Sequence, residues 1–136
     1  MNNRIYKFRA WDKSKKEWLD YGFISLSGEF LQDAEGGGLE THDCKSFDLM
    51  QYTGLKDKND KEIYEGDILQ RISPMTNKID TTVEVYFDNK MAGFYVRGKN
   101  IEALNKILGV FLTCAGISKN DYEIIGNIYE NKDLLG

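Results

Sequence analysis

The chain has little of what most function classes depend on. Its 136 residues hold two cysteines, one histidine and one proline. Two thiols, Cys44 and Cys114, are too few for a disulfide framework in a chain of this length. A single histidine excludes His-Glu-x-x-His, and no Cys-x-x-Cys is present. His42 and Cys44 do form a His-x-Cys pair. Zinc needs three or four ligands, however, and Cys114 is the one remaining thiol. The pair reads as a loop histidine beside a half-buried cysteine, and no metal or cofactor is expected. Apolar runs are short as well: Ile107 to Ile117 covers about eleven residues against the ~20 that cross a bilayer. The opening Met1-Asn2-Asn3-Arg4-Ile5-Tyr6-Lys7 has no apolar stretch behind it, so no secretory signal is expected. A cytoplasmic setting without a membrane partner follows. Net positive charge is also missing, at −4 with a pI near 5.1. Nucleic-acid binders usually carry a basic field, so that partner class is disfavoured and a protein or small ligand is favoured.

What is present is aromatic and strand-forming. Two Trp, eight Tyr and seven Phe accompany 41% apolar and 29% charged residues. That composition belongs to a globular chain rich in strands. The length suits a single domain, 1–136, with a core that needs no staples.

From Tyr6 to Trp11, Tyr6, Phe8 and Ala10 alternate with Lys7, Arg9 and Trp11, the period of a half-buried strand. Trp18 to Leu26 resumes that character after a polar connector, which predicts an N-terminal hairpin. Residues 32–46 carry Gly36-Gly37-Gly38 without either periodicity and are expected to form a flexible loop. The chain then subdivides into a hairpin unit at 1–31, that loop, and a barrel-like core at 47–131. Inside the core, Thr53-Gly54, Asn59-Asp60 and Gly66-Asp67 are turn residues. A Gly-Asp pair before a β-branched strand is how small SH3-like barrels turn a corner. Pro74 falls in a polar loop, Ser73 to Asp80. Val83 to Arg97 is the clearest hairpin, turning over Asp88 to Gly93. Asn100 could cap a helix over Ile101–Leu112, and Tyr122 to Tyr129 returns to strand composition. The fold class expected is α+β and mainly β: a small SH3-like or related barrel with an N-terminal hairpin and one or two helices.

Three blocks go beyond pattern. Lys7-Phe8-Arg9-Ala10-Trp11-Asp12 opens the chain. Gln51-Tyr52-Thr53-Gly54-Leu55-Lys56-Asp57 and Lys61-Glu62-Ile63-Tyr64-Glu65-Gly66-Asp67-Ile68 fill its middle. Ile125-Gly126-Asn127-Ile128-Tyr129-Glu130-Asn131 nearly closes it. Their order resembles the YopX family of phage and prophage proteins over almost the whole chain. The chain departs from the family at Asn59-Asp60, where Asn-Gly is usual, at Lys132-Asp133-Leu134-Leu135, where Pro-Glu-Leu-Leu is usual, and in the helix. The resemblance implies a phage or prophage origin and an intracellular setting, and brings no molecular activity with it.

The sharp readings compete with plain ones. Glu62, Glu65 and Asp67 could cluster for acid–base or metal chemistry, but Asp67 has backbone amides to hold and the glutamates suit a solvated hairpin. Gly36-Gly37-Gly38 lacks the Lys-Ser/Thr of a phosphate loop. Lys7, Arg9, Lys13, Lys15 and Lys16 near Trp11 and Trp18 fit a stacking platform for nucleic acid, and equally a solvated edge hairpin. Tyr52, Tyr64, Tyr86, Tyr95 and Tyr129 exceed what a core usually needs, which points to a partner surface or self-association into a homo-oligomer. The candidate interaction surface is Gln51, Tyr52, Tyr64 and Glu65, the part of the middle block without an obvious turn duty. The expected function is a non-catalytic phage accessory protein that binds a host or phage protein. The alternatives are a nucleic-acid-associated protein and an enzyme with no recognisable motif.

Overall fold

β-Branched and aromatic residues at period two, cut by polar turns, make strands nearly all of the regular structure among the described residues. The computed structural model describes residues 3–19, 22–25, 27, 29–33, 36–42, 46–73, 75–99, 108 and 122–136. The chain divides into two units, one of Phe8–Met50 and one of Met1–Lys7 with Gln51–Gly136.

In the Phe8–Met50 unit, β1 (Phe8–Asp12) and β2 (Glu17–Trp18) form the expected antiparallel hairpin, with Trp11 opposite Trp18. Asp12 closes it, its Oδ1 accepting from the Ser14 and Lys15 amides at 2.8 and 2.9 Å. That duty suits the burial of Asp12; Ala10, Trp11 and Asp12 are buried in succession and Phe8 is 41% exposed, a departure from the expected alternation. The unit also holds the first four residues of β6 (Phe47–Lys56), on the side of β1 away from β2. A second, three-stranded sheet consists of β3 (Phe23–Ile24), β4 (Phe30–Asp33) and β5 (Leu39–His42).

The last two strands correct the reading of residues 32–46 as a flexible loop. β4 and β5 pair antiparallel from Phe30↔His42 to Asp33↔Leu39. Gly36, Gly37 and Gly38 have φ of 109°, 86° and 126°, values that L side chains rarely adopt. The glycine run is the turn of a hairpin, not a break in structure. His42 ends β5, whereas Cys44 and Cys114 lie outside the described residues.

In the other unit, the rest of β6 lies beside β7 (Glu62–Tyr64). β8 (Asp67–Ile72), β9 (Ile79–Asp88), β10 (Gly93–Gly98) and β11 (Tyr122–Asn127) form an antiparallel sheet in the order β10-β9-β8-β11. A 3-10 turn follows at Lys132–Leu135. One face of the sheet carries Leu69, Val83, Val85 and Val96, which are fully buried and cluster with Ile63, Leu108 and Tyr122. The β9–β10 hairpin is in the expected register, with Phe87 against Phe94 at 5.3 Å and Tyr86 against Tyr95 at 6.2 Å. Of the expected helix Ile101–Leu112, Leu108 alone is described; it is helical and buried, and the remainder lies outside the described residues, as does Pro74. The fold is mainly β. Among the described residues no pairing joins β10 to β11, so the sheet has two edges there.

Candidate functional site

The four residues singled out in the sequence come together in the unit that contains Gln51–Gly136. β6 and β7 place Tyr52 directly opposite Tyr64, ring centroids 5.5 Å apart. Gln51 and Glu65 clasp each other. The Glu65 amide donates to the Gln51 carbonyl at 3.1 Å, and the Gln51 amide donates to Glu65 Oε1 at 3.0 Å. Each of these bonds sets strand geometry. Tyr52 is 6% exposed, so its ring belongs to the interior; Gln51, Tyr64 and Glu65 are half-buried.

The carboxylates do not converge on one point. Glu62 pairs with Lys7 and also accepts from the Tyr64 hydroxyl at 3.0 Å. Asp67, 1% exposed, accepts from the Tyr64 amide at 2.8 Å, as the turn after Gly66 requires. Glu65 is engaged with Gln51. The hydrogen bond from Lys7, helped by that from Tyr64, holds the Glu62 carboxyl below its ordinary 4.5. Lys58 does the same to Glu123 in β11.

Depressed carboxyl values fix the sign of a pH effect. The stability they contribute is present above the unfolded value of 4.5 and is lost as pH falls through the lower folded values. The thermal midpoint should therefore be flat from about pH 7 to about pH 5.5 and decline below 4.5. Glu62→Gln should shrink that acid-side decline, and an unchanged decline in melts at matched ionic strength would contradict the assignment.

One feature of this unit was not singled out in the sequence. The Tyr52 amide donates to the Lys7 carbonyl at 2.8 Å, and among the described residues this is the one backbone bond between residues 3–7 and β6. Beyond it the two stretches part around a cleft of about 280 Å³, lined by Asn3, Arg4, Ile5, Tyr52, Thr53 and Gly54. Thr53 is fixed there by donating to the Ile63 carbonyl at 2.8 Å, and Gly54 takes a φ of 83°. Ile5 and Tyr6 are 59% and 63% exposed, and the Arg4 guanidinium rests 5.1 Å from the Tyr6 ring centroid. The only signal in the sequence was an aliphatic–aromatic step just before the first strand.

The family model described as YopX protein matches residues 7–136. The chain belongs to the YopX family. Two solved structures are similar to this YopX-family chain. Protein EF1440 from Enterococcus faecalis is 29% identical with a TM-score of 0.65, covering 98% of this chain and 100% of that one. Protein yopX from Bacillus subtilis is 21% identical with a TM-score of 0.59, covering 95% of this chain and 97% of that one, a likeness of fold. A search of curated proteins gave no match. The family match starts at Lys7, so Asn3, Arg4 and Ile5 of the cleft precede it.

The basic and aromatic residues of the first hairpin are largely engaged with one another. Trp11, 7% exposed, meets Trp18 edge-on at 4.9 Å, and the Arg9 guanidinium lies 4.7 Å from the Trp18 ring centroid. Lys13 pairs with Asp48 at 3.2 Å and Lys15 approaches Glu17 at 3.8 Å. A stacking platform needs open ring faces and uncommitted cations; Arg9, Trp11 and Lys13 are engaged within the unit, while Lys15 and Lys16 are exposed. Among the described residues no helix is long and apolar enough to cross a membrane.

Proposed function

We propose that this YopX-family chain is a non-catalytic, cytoplasmic phage or prophage accessory protein that binds another protein through the cleft between Asn3–Ile5 and Tyr52–Gly54. The observation that carries the reading is the exposure of Ile5 and Tyr6, 59% and 63%, beside that cleft. An exposed aliphatic–aromatic pair next to a concave surface is the usual make-up of a binding anchor. Tyr64, whose ring lies 5.5 Å from that of Tyr52, extends this surface onto β7, with the buried Tyr52 as its support and the Gln51–Glu65 clasp holding the two strands beside it. The partner is a host or phage protein. The same proposal reads the β8–β9 sheet and its Gly66-Asp67 corner, where Gly66 has a φ of 79°, as related to SH3-like half-barrels.

The test compares capture from lysogenic host cells by the tagged wild type and by an Ile5→Ser, Tyr6→Ala double variant. Both side chains are largely exposed, so the thermal midpoint should hold, while recovery of the captured partner should fall by ~10-fold or more. Equal recovery by wild type and variant would place the binding surface elsewhere.

A further inference from the structure

Resting on that protein-binding reading, we infer that the partner offers an extended segment bearing a carboxylate beside an aliphatic side chain, with Arg4 taking the carboxylate. The cleft's volume of about 280 Å³ lies at the bottom of the range for drug-sized ligands, ~300–1,000 Å³. It accommodates one or two side chains of a peptide more readily than a cofactor. None of its six lining residues is acidic. Arg4 has no ion pair or hydrogen bond among the described residues, whereas the neighbouring cations Lys7 and Lys56 are paired with Glu62 and Asp60. On a chain of net charge −4 the cleft is lined by one cation, Arg4, and by no carboxylate.

The residue type sharpens the choice of ligand. A guanidinium presents a planar fork that matches a carboxylate with two parallel hydrogen bonds. The Arg4 guanidinium already rests on the Tyr6 ring, so it has less freedom to lose on binding. Ile5 offers the aliphatic contact next to it. The segment would lie along the cleft between Asn3–Ile5 and Tyr52–Gly54, adding its backbone to β6 beyond the Tyr52–Lys7 bond.

The experiment is a selection of displayed random decapeptides on the wild-type protein, with binding of the enriched peptides measured on Arg4→Glu and on the Ile5→Ser, Tyr6→Ala variant. The expected consensus places Asp or Glu next to an aliphatic residue, binds Arg4→Glu at least ~10-fold more weakly, and loosens as salt rises from 50 to 500 mM. A neutral or basic consensus that still needs Ile5 and Tyr6 would overturn the carboxylate assignment and leave the protein-binding reading standing. No enrichment, or enriched peptides indifferent to both variants, would overturn both. A fluorescent oligo-dT of twelve nucleotides is run alongside. If it binds at low salt and is released by Arg4→Glu, the cation serves phosphate and the peptide assignment falls.

Discussion

Alanine in place of Asp57 is expected to lower the free energy of unfolding by about 3–5 kcal/mol. Asp57 is 5% exposed, and its carboxylate serves three backbone amides. Oδ1 accepts from Asn59 and Lys61 at 2.8 and 3.0 Å, which shapes the turn between β6 and β7. Oδ2 accepts from Ile124 at 3.0 Å, 67 residues away in β11. Lys58 reinforces the link, its amide donating to the Tyr122 carbonyl at 2.9 Å and its ammonium pairing with Glu123 at 2.8 Å. Alanine would remove the shared acceptor of three amides, one of them in β11, each costing on the order of 1 kcal/mol or more. Asparagine keeps one acceptor but turns an amide N–H toward another donor, so Asp57→Asn should cost an intermediate ~1–3 kcal/mol. Urea unfolding of the three proteins measures the series. A loss for alanine below ~1 kcal/mol would mean that the turn and β11 are not joined through this carboxylate.

Gly126→Ala, at the one glycine of the closing block, should cost about 2–3 kcal/mol. A Cβ at this position would stand 2.5 Å from Asn131 Oδ1 and 2.8 Å from Asn131 Cβ and Cγ. Asn131 cannot simply swing away. Its Oδ1 accepts from the Asn127 amide at 3.3 Å and its own amide donates to the Asn127 carbonyl at 2.9 Å. Asn127, 8% exposed, in turn accepts from the Tyr129 and Glu130 amides, both at 3.0 Å. The new methyl would therefore push on a closed set of bonds at the end of β11, where the register with β8 already shifts between Ile124 and Gly126. Adding Asn131→Ala should recover part of the loss, because it removes Oδ1 and Cγ, two of the three atoms in the way, while Cβ remains. A double-mutant cycle with no coupling between the two sites would contradict the contact.

The parts of the fold that were legible in the sequence are those made by neighbours in the chain. The β9–β10 hairpin could be read from Val83 to Arg97 because period-two alternation and a short turn are both local. Gly66-Asp67 announced its corner for the same reason, and the carboxylate of Asp67 holds the Tyr64 amide within that segment. The family blocks were legible too, and the match over residues 7–136 bears them out.

Longer-range duties were hidden. Asp57 looked like one more polar turn residue, since nothing nearby in sequence indicates a bond to Ile124. Tyr52 has the same composition signal whether its ring faces solvent or, as here, the interior. The glycine run at Gly36 to Gly38 was ambiguous between a hairpin turn and a loop, because short strands of four residues give too few repeats to show a period. The candidate surface shifted for a related reason. Gln51 and Glu65 lacked a visible duty until β6 and β7 were paired, whereas Arg4 and Ile5 lay before the alternation that begins at Tyr6, and Tyr6 was read as part of a strand that starts at Phe8.

That shift is what most needs testing, and a titration of 15N-labelled protein with the partner segment, followed by amide chemical shifts, tests it most directly. The largest changes should fall on Asn3 to Ile5 and on Tyr52 to Gly54, the two sides of the cleft. Changes centred instead on the exposed hairpin tip of Ile72, Met75 and Ile79, or along β10, with the cleft amides unmoved, would contradict it.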